Sequence, residues 1–218
     1  MRRAQLEHVI AAAANVAGET EFVVIGSQAI LGPHPDAPEP LLRSMEVDLY
    51  PVRNPHKADK IDGALGDGSQ FHRSYGYYAH GVGPETAKAP DGWDKRLIRV
   101  SIPPRPASGR RPVALCLEPH DLVLAKCAAG RERDWEFARE ALLAGLVQAD
   151  ELLARVDQMP LDQPRRAQIR AMLNGIVNKV QHVAGGDAAP SAQPQAQRHP
   201  ATGEMTATEA IDDDRAER

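Results

Sequence analysis

The stretch FVVIGSQAILG (22–32) decides the fold, because it joins a strand to a short helix through a tight turn. Its apolar run 22–25 predicts a buried strand, and 27–31 predicts a short helix. Gly26 and Ser27 lie at the turn between them, where free backbone N–H groups and a hydroxyl can receive a phosphate.

The segment SMEVDLYP (44–51) predicts a half-buried strand over 45–50 that carries two acids, Glu46 and Asp48. Residues i and i+2 of a strand share a face, so the two carboxylates lie side by side and repel each other. Such a pair is costly unless it faces water or holds a cation. A phosphate-binding turn beside a carboxylate pair that holds Mg²⁺ is typical of phosphoryl and nucleotidyl transfer.

The composition is that of a globular chain, with 218 residues, 42% hydrophobic and 4% aromatic. That length suits one domain with a small helical addition. No stretch reaches the length of a membrane-spanning helix and the start does not read as a signal peptide, so we expect a cytoplasmic protein without a membrane partner. Cys116 and Cys127 fall in or near apolar runs, which favours buried thiols over a disulfide.

The formal net charge of −4 comes entirely from residues 185–218, which hold seven acids and three arginines. The body of the chain is therefore neutral overall and has no global basic field that would indicate a nucleic-acid partner. The final segment also has almost no bulky apolar residue, so we predict a disordered acidic tail over 185–218.

Hydrophobic patterning predicts mixed strands and helices first and helices alone afterwards. The earlier elements are a helix over 2–17, strands over 21–26 and 45–50, a helix over 54–66, and strands over 71–83, 96–102 and 113–117. The later helices cover 118–130, 132–144, 149–157 and 162–183. This order predicts an α+β fold with a mixed sheet of four or five strands, flanking helices and a helical C-terminal portion. We divide the chain into a core over 1–145, C-terminal helices packed on it over 146–184, and the tail.

These residues resemble the nucleotidyltransferase superfamily, over roughly residues 20–145. Within it they are similar to the bacterial group related to the abortive-infection toxin AbiEii, including a largely uncharacterised branch. Those proteins share a strand ending in Gly-Gly or Gly-Ser, a short helix, a strand with an Asp-x-Asp pair, and later helices with a Lys motif and an Arg-Asp motif. The matching positions are Gly26-Ser27, Glu46-Val47-Asp48, Lys126 in DLVLAKCAAGR, and Arg133-Asp134, with Ser44 where the family often has Thr and Arg43 near its usual Arg.

The resemblance implies a nucleotidyltransferase-like fold, an NTP co-substrate and a bound Mg²⁺. The residues to which it assigns roles are the metal ligands Glu46 and Asp48, the phosphate-side residues Gly26, Ser27, Arg43 and Ser44, and the pair Lys126 and Asp134. Lys126 would offset negative charge on the phosphates, and Asp134 would position Lys126 or the acceptor. The implied acceptor is tRNA or a protein, in a toxin–antitoxin or phage-defence pair with an antitoxin-like partner.

Three features depart from the family pattern. The first acid is Glu46 rather than Asp, the connection before it contains the proline-rich stretch 33–40, and neither predicted strand 96–102 nor 113–117 carries a third carboxylate. Candidates for that third acid are Glu85, Asp94 and Asp121. These departures leave open a catalytically degenerate module that binds a nucleotide or a partner on the same fold. A third alternative is an adaptor whose acidic tail docks on a basic partner.

Each signal also has an ordinary structural explanation. Glu46 and Asp48 could form the solvated face of an edge strand, and Lys126 could be a surface lysine whose stem covers apolar residues. Asp134 could belong to the salt-bridged start of a helix. We predict no metal-binding pair among the scattered histidines His34, His56, His72, His80 and His120.

Overall fold

The computed structural model describes residues 1–103 and 111–186, without the side chains of 183–186. Its α-helices are α1 (Arg3–Ala17), α2 (Ala58–Leu65), α3 (Gln70–Tyr75), α4 (Pro119–Ala129), α5 (Glu132–Leu143), α6 (Ala149–Arg155) and α7 (Gln163–Gly186). Its strands are β1 (Glu21–Ile25), β2 (Glu46–Pro51), β3 (Tyr78–Gly81), β4 (Ile98–Ser101) and β5 (Val113–Cys116). Short 3-10 helices cover Ser27–Leu31, Glu39–Leu41, Pro55–Lys57, Pro84–Thr86, Trp93–Lys95 and Val156–Gln158.

The five strands form one mixed sheet in the order β3-β2-β1-β5-β4. β1 pairs antiparallel with β2 and parallel with β5, β2 pairs parallel with β3, and β4 pairs antiparallel with β5. Strand β1 lies at the centre, and its side chains alternate between two buried clusters. Phe22 and Val24 join the large core, whereas Val23 and Ile25 join a smaller cluster. Burial on both faces is typical of a central strand. The mixed sheet of five strands with its helices confirms the predicted α+β class.

The helices of the C-terminal portion pack on the rest of the chain. α7 contacts α5, α6 contacts α4, and Ile169 and Leu173 of α7 are fully buried in the large core. The boundary proposed at residue 145 stays a prediction. The predicted tail over 185–218 lies outside the described residues except at 185–186, which form the last two residues of α7.

The predicted strand over 71–83 is wrong in its first half, which belongs to α3. The Ser69 hydroxyl caps this helix by accepting the backbone N–H of His72 at 3.1 Å, and Gly76 ends it in the left-handed conformation at φ 73°. These local capping contacts outweigh the loose apolar alternation that favoured a strand. Only Tyr78–Gly81 forms the strand β3.

No helix among the described residues combines the length and the apolarity that crossing a membrane requires.

Candidate active site

The turn after β1 brings the chain against the second acid of β2. Ile25 pairs with Asp48 in the β1–β2 register, so Gly26 follows beside that carboxylate. Gly26 has φ 69° and ψ −175°, and a Cβ atom placed on it would lie 2.0 Å from Asp48 Oδ2. Because a side chain fits neither this conformation nor this space, glycine is required where the turn passes the acid.

Strand β2 presents its two acids on one face. Glu46 and Asp48 are half-buried, whereas Val47 and Leu49 between and beyond them are fully buried. β2 lies between β1 and β3, so the alternative of a solvated edge strand is wrong. The Ser44 hydroxyl accepts the backbone N–H of Glu46 at 3.2 Å and ties the start of the strand to the preceding loop.

A histidine of β3 completes a cluster with these acids. Asp48 pairs with His80 in the β2–β3 register, and His80 Nδ1 lies 2.8 Å from Asp48 Oδ1. The candidate ligand atoms of Glu46, Asp48 and His80 all lie within 4.8 Å of one another. The prediction that the histidines form no metal-binding pair stays a prediction, because His80 is grouped here with two acids and not with a second histidine. The sequence analysis did not select His80 as a site residue. Its position beside Asp48 follows only from the register of β2 and β3, which are distant in the sequence.

The three acids considered for the third position lie elsewhere. Asp121 is fully buried, and its carboxylate is bound by Arg96 at 2.7 Å and by Arg155 at 2.8 Å. Glu85 and Asp94 are not among the residues that line the cavity described below.

Burial and neighbouring groups shift the pKa values of Asp48 and Tyr78. Burial raises the pKa of Asp48, the hydrogen bond with His80 lowers it, and the neighbouring charge of Glu46 raises it, with a net rise above the usual range. The Tyr78 hydroxyl donates a hydrogen bond to Glu46 Oε2 at 3.0 Å, and burial together with this acid raises the pKa of Tyr78 to about 12. Tyr78 therefore stays a neutral donor that orients Glu46. A bound cation would relieve the repulsion between the two carboxylates.

Lys126 of α4 adds a positive charge near Asp48. Its Nζ donates to Asp134 Oδ1 at 3.1 Å and lies 4.9 Å from the ring centroid of Phe137. Its side chain is only 15% exposed, so the alternative of an ordinary surface lysine is wrong. Asp134 also accepts the backbone N–H of Arg131 at 3.3 Å, through Oδ2. The structural explanation for Asp134, as part of a helix start, thus holds alongside its contact with Lys126.

All eight predicted site residues line one cavity of about 250 Å³. The other residues around it are Pro40, Leu41, Arg131, Arg133, Glu136 and Phe137. Its charged side chains are the cations Arg43, Lys126, Arg131 and Arg133 and the acids Glu46, Asp48, Asp134 and Glu136. These formal charges cancel, so a divalent cation on the acid pair would make the cavity net positive and suited to a polyphosphate. Sequence reasoning missed Arg131, which precedes the Arg-Asp motif by two positions.

A second cavity of about 220 Å³ adjoins the first and shares Gly26, Asp48, Lys126, Arg131 and Asp134 with it. The remainder of its lining is mostly apolar, and includes Ile25, Leu117, Leu122, Ala125 and Ala128. The shared charged residues therefore border both the first cavity, whose lining is mostly polar, and the second cavity, whose remaining lining is mostly apolar.

The cysteines take no part in this chemistry. Cys116 and Cys127 are free and buried, as predicted. Burial raises the pKa of each thiol to about 12, so neither supplies a thiolate nucleophile at neutral pH.

Comparison with known proteins adds one match. The model of the family described as "Nucleotidyltransferase of unknown function (DUF6036)" matches residues 4–181. Neither a curated protein nor a solved structure matches the chain. The matched range includes every residue that lines the two cavities.

Proposed function

The chain belongs to this family of nucleotidyltransferases, and from that premise we propose that it transfers a nucleotide from an NTP to an acceptor with the help of a divalent cation. The resemblance makes Mg²⁺ the expected cation. The observation that carries the proposal is that the Gly26-Ser27 turn, the Glu46–Asp48 pair and Lys126 line one cavity.

The donors in the cavity fit the proposed cation. Two carboxylates offer the hard oxygen ligands that Mg²⁺ prefers, and their mutual repulsion favours binding of a cation between them. When bound at Glu46 and Asp48, the cation would neutralise charge on the phosphate oxygens.

The remaining residues would hold the nucleotide. The backbone N–H groups of the turn and the Ser27 hydroxyl would bind phosphate oxygens, close to the acid pair. Lys126 would stabilise the negative charge that develops during transfer, and Asp134 would keep the ammonium group in place through the contact at 3.1 Å. Arg43, Arg131 and Arg133 would bind the phosphates or the acceptor at the cavity mouth.

The test removes both carboxylate charges without changing side-chain size. We expect Glu46→Gln combined with Asp48→Asn to abolish transfer of α-³²P-labelled nucleotide to RNA, to protein or to the chain itself, because the cation is lost. A matched control is Asp59→Asn combined with Asp150→Asn, which removes two exposed acids that neither line the cavity nor adjoin a lining residue. Transfer by the site variant at the wild-type rate would show that these acids have no catalytic role.

The isotope position identifies the reaction. Label from the α-position on the product would indicate nucleotidyl transfer, and label only from the γ-position would indicate phosphoryl transfer, which contradicts the proposal.

A second candidate is a nucleotide-binding module that does not catalyse transfer. Two features favour it: the first acid is Glu46 rather than Asp, and the third member of the cluster with Glu46 and Asp48 is a histidine rather than a carboxylate. It predicts that NTP and a cation raise the melting temperature of the wild type but not of the Glu46→Gln, Asp48→Asn variant, while neither protein transfers label.

We also propose the finer setting that the AbiEii-like resemblance implies. The acceptor is then tRNA or a protein, and the chain acts in the cytoplasm as the toxin of a pair with an antitoxin-like partner. Induced expression in bacteria should stop growth with the wild type and not with the acid-pair variant. Equal growth of both strains, with both proteins present at equal levels, would contradict this setting.

A further inference from the structure

The side chain of His80 lies where a third ligand of the proposed cation would be needed. The parallel pairing of β2 and β3 aligns Asp48 with His80 and Glu46 with Tyr78. Tyr78 is occupied as a hydrogen-bond donor to Glu46 Oε2, whereas His80 faces Asp48 with a side chain that is 50% exposed. The imidazole is therefore accessible to solvent on the same face of the sheet as both acids.

The distances suit a shared ion. Ligand atoms on one octahedral cation are about 3 Å apart when adjacent and about 4 Å apart when opposite, given metal–ligand distances near 2.1 Å. The candidate ligand atoms of Glu46, Asp48 and His80 lie within 4.8 Å of one another, so a small adjustment of side chains brings them onto one ion. The contact of 2.8 Å between His80 Nδ1 and Asp48 Oδ1 is then exchanged for two bonds to the cation.

We propose that His80 is the third ligand of the cation held by Glu46 and Asp48, and that its imidazole makes the site prefer Mn²⁺ to Mg²⁺. Carboxylate and water ligands suit Mg²⁺, whereas an imidazole nitrogen favours first-row transition metals. The inference rests on the proposed function for the two acids and adds the donor that sets metal choice. A histidine that only oriented Asp48 by hydrogen bonding would leave the metal preference unchanged.

The experiment measures cation binding to the full chain without nucleotide, using MnCl₂ or MgCl₂ alone. Calorimetric titration should show that His80→Ala weakens Mn²⁺ binding by about tenfold or more and Mg²⁺ binding by less. His80→Asp, which restores an all-oxygen set, should lower the ratio of Mn²⁺ to Mg²⁺ affinity below that of the wild type. His56→Ala, at an exposed histidine, is the control and should bind both ions as the wild type does.

A spectroscopic signature separates a ligand from a positioning residue. Electron spin echo envelope modulation of bound Mn²⁺ should show coupling to ¹⁴N in the wild type and in His56→Ala, and none in His80→Asp. Absence of nitrogen coupling in the wild type, or its persistence in His80→Asp, would overturn the proposal.

The same measurements separate this inference from the proposed function. If the acid-pair variant loses Mn²⁺ and the wild type shows no nitrogen coupling, the acids bind a cation and the role of His80 is refuted. If nitrogen coupling is present but no NTP supports transfer, the ligand assignment stands and the transferase activity is refuted.

Discussion

At the scale of single residues, Gly26 joins the turn that we propose binds phosphate to the acids that we propose bind the cation. Its backbone takes φ 69°, and the space where a Cβ would lie is filled by the Asp48 carboxylate. The turn can therefore approach the acid only because no side chain lies between them. Any larger residue would move either the turn or the acid.

We expect Gly26→Ala to lower the free energy of unfolding by about 1–3 kcal/mol, because the backbone is strained and the methyl group collides with Asp48. The displaced carboxylate should also weaken Mn²⁺ binding. Urea denaturation and metal titration measure the two effects.

Gly63→Ala is the matched control, since nothing lies within 4 Å of its Cβ position in the interior of α2. It should raise the unfolding free energy by about 0.5–1 kcal/mol and leave metal binding unchanged. Equal stability of the two alanine variants would contradict the required role of glycine at position 26.

At the scale of secondary-structure elements, a buried polar network holds α4 against α6. The Glu118 side chain caps α4 by accepting the backbone N–H groups of His120 and Asp121 at 3.1 and 3.2 Å. Arg155 of α6 donates to Glu118 at 2.6 Å and to Asp121 at 2.8 Å. Because α4 carries Lys126, this network positions the helix that supplies the lysine of the site.

The network makes stability depend on pH. Burial raises the pKa of Glu118, but the hydrogen bond and charge of His120 and those of Arg155 lower it more, to about 2. A folded-state pKa below the unfolded value of 4.5 stabilises the protein above pH 4.5, and this contribution is lost as the pH falls towards 2. Since solvent screens the pair in part, we expect a contribution of about 1–2 kcal/mol.

Denaturation at a series of pH values checks this expectation. Glu118→Gln should be less stable than the wild type at pH 7, and the difference should shrink between pH 4.5 and 2. Glu39→Gln, at an acid that is 92% exposed, should follow the wild type throughout. A constant difference between Glu118→Gln and the wild type across this range would contradict the prediction.

Short sequence patterns predicted those elements whose conformation depends mainly on neighbouring residues in the chain. The strand β2 with its paired acids followed from alternation, and the end of β1 from Gly26. The boundaries of α3 and β3 did not, because a serine cap and a left-handed glycine act over a few residues inside a weak pattern. His80 could not be assigned from sequence alone, since its position beside Asp48 depends on which strand pairs with β2 and in which register.

At the scale of the whole molecule, residues from distant parts of the chain form the cavity. Its lining runs from Gly26 to Phe137, and the family match over 4–181 contains all of it. The site therefore depends on the sheet and on α4 and α5, while residues 187–218 lie beyond both ranges.

We expect a chain that ends at Gly186 to transfer nucleotide at a rate within about twofold of the full chain, because it keeps all the lining residues. The adaptor alternative predicts instead that truncation removes binding of a basic partner. Replacing Asp212, Asp213 and Asp214 by Asn in the full chain separates loss of charge from loss of length. A large loss of transfer in the truncated chain would contradict a site confined to the described residues.

The strand order determines whether the protein could be divided into two fragments that reassemble. β5 lies between β1 and β4, although it follows both in the chain, and Lys126 and Asp134 come after it. A break between Ile102 and Pro112 would leave one fragment with the turn and the acids and another with the lysine. Neither fragment alone has a continuous sheet, so the two polypeptides would have to reassociate before the proposed transfer could occur, which offers a route to conditional control by splitting the chain.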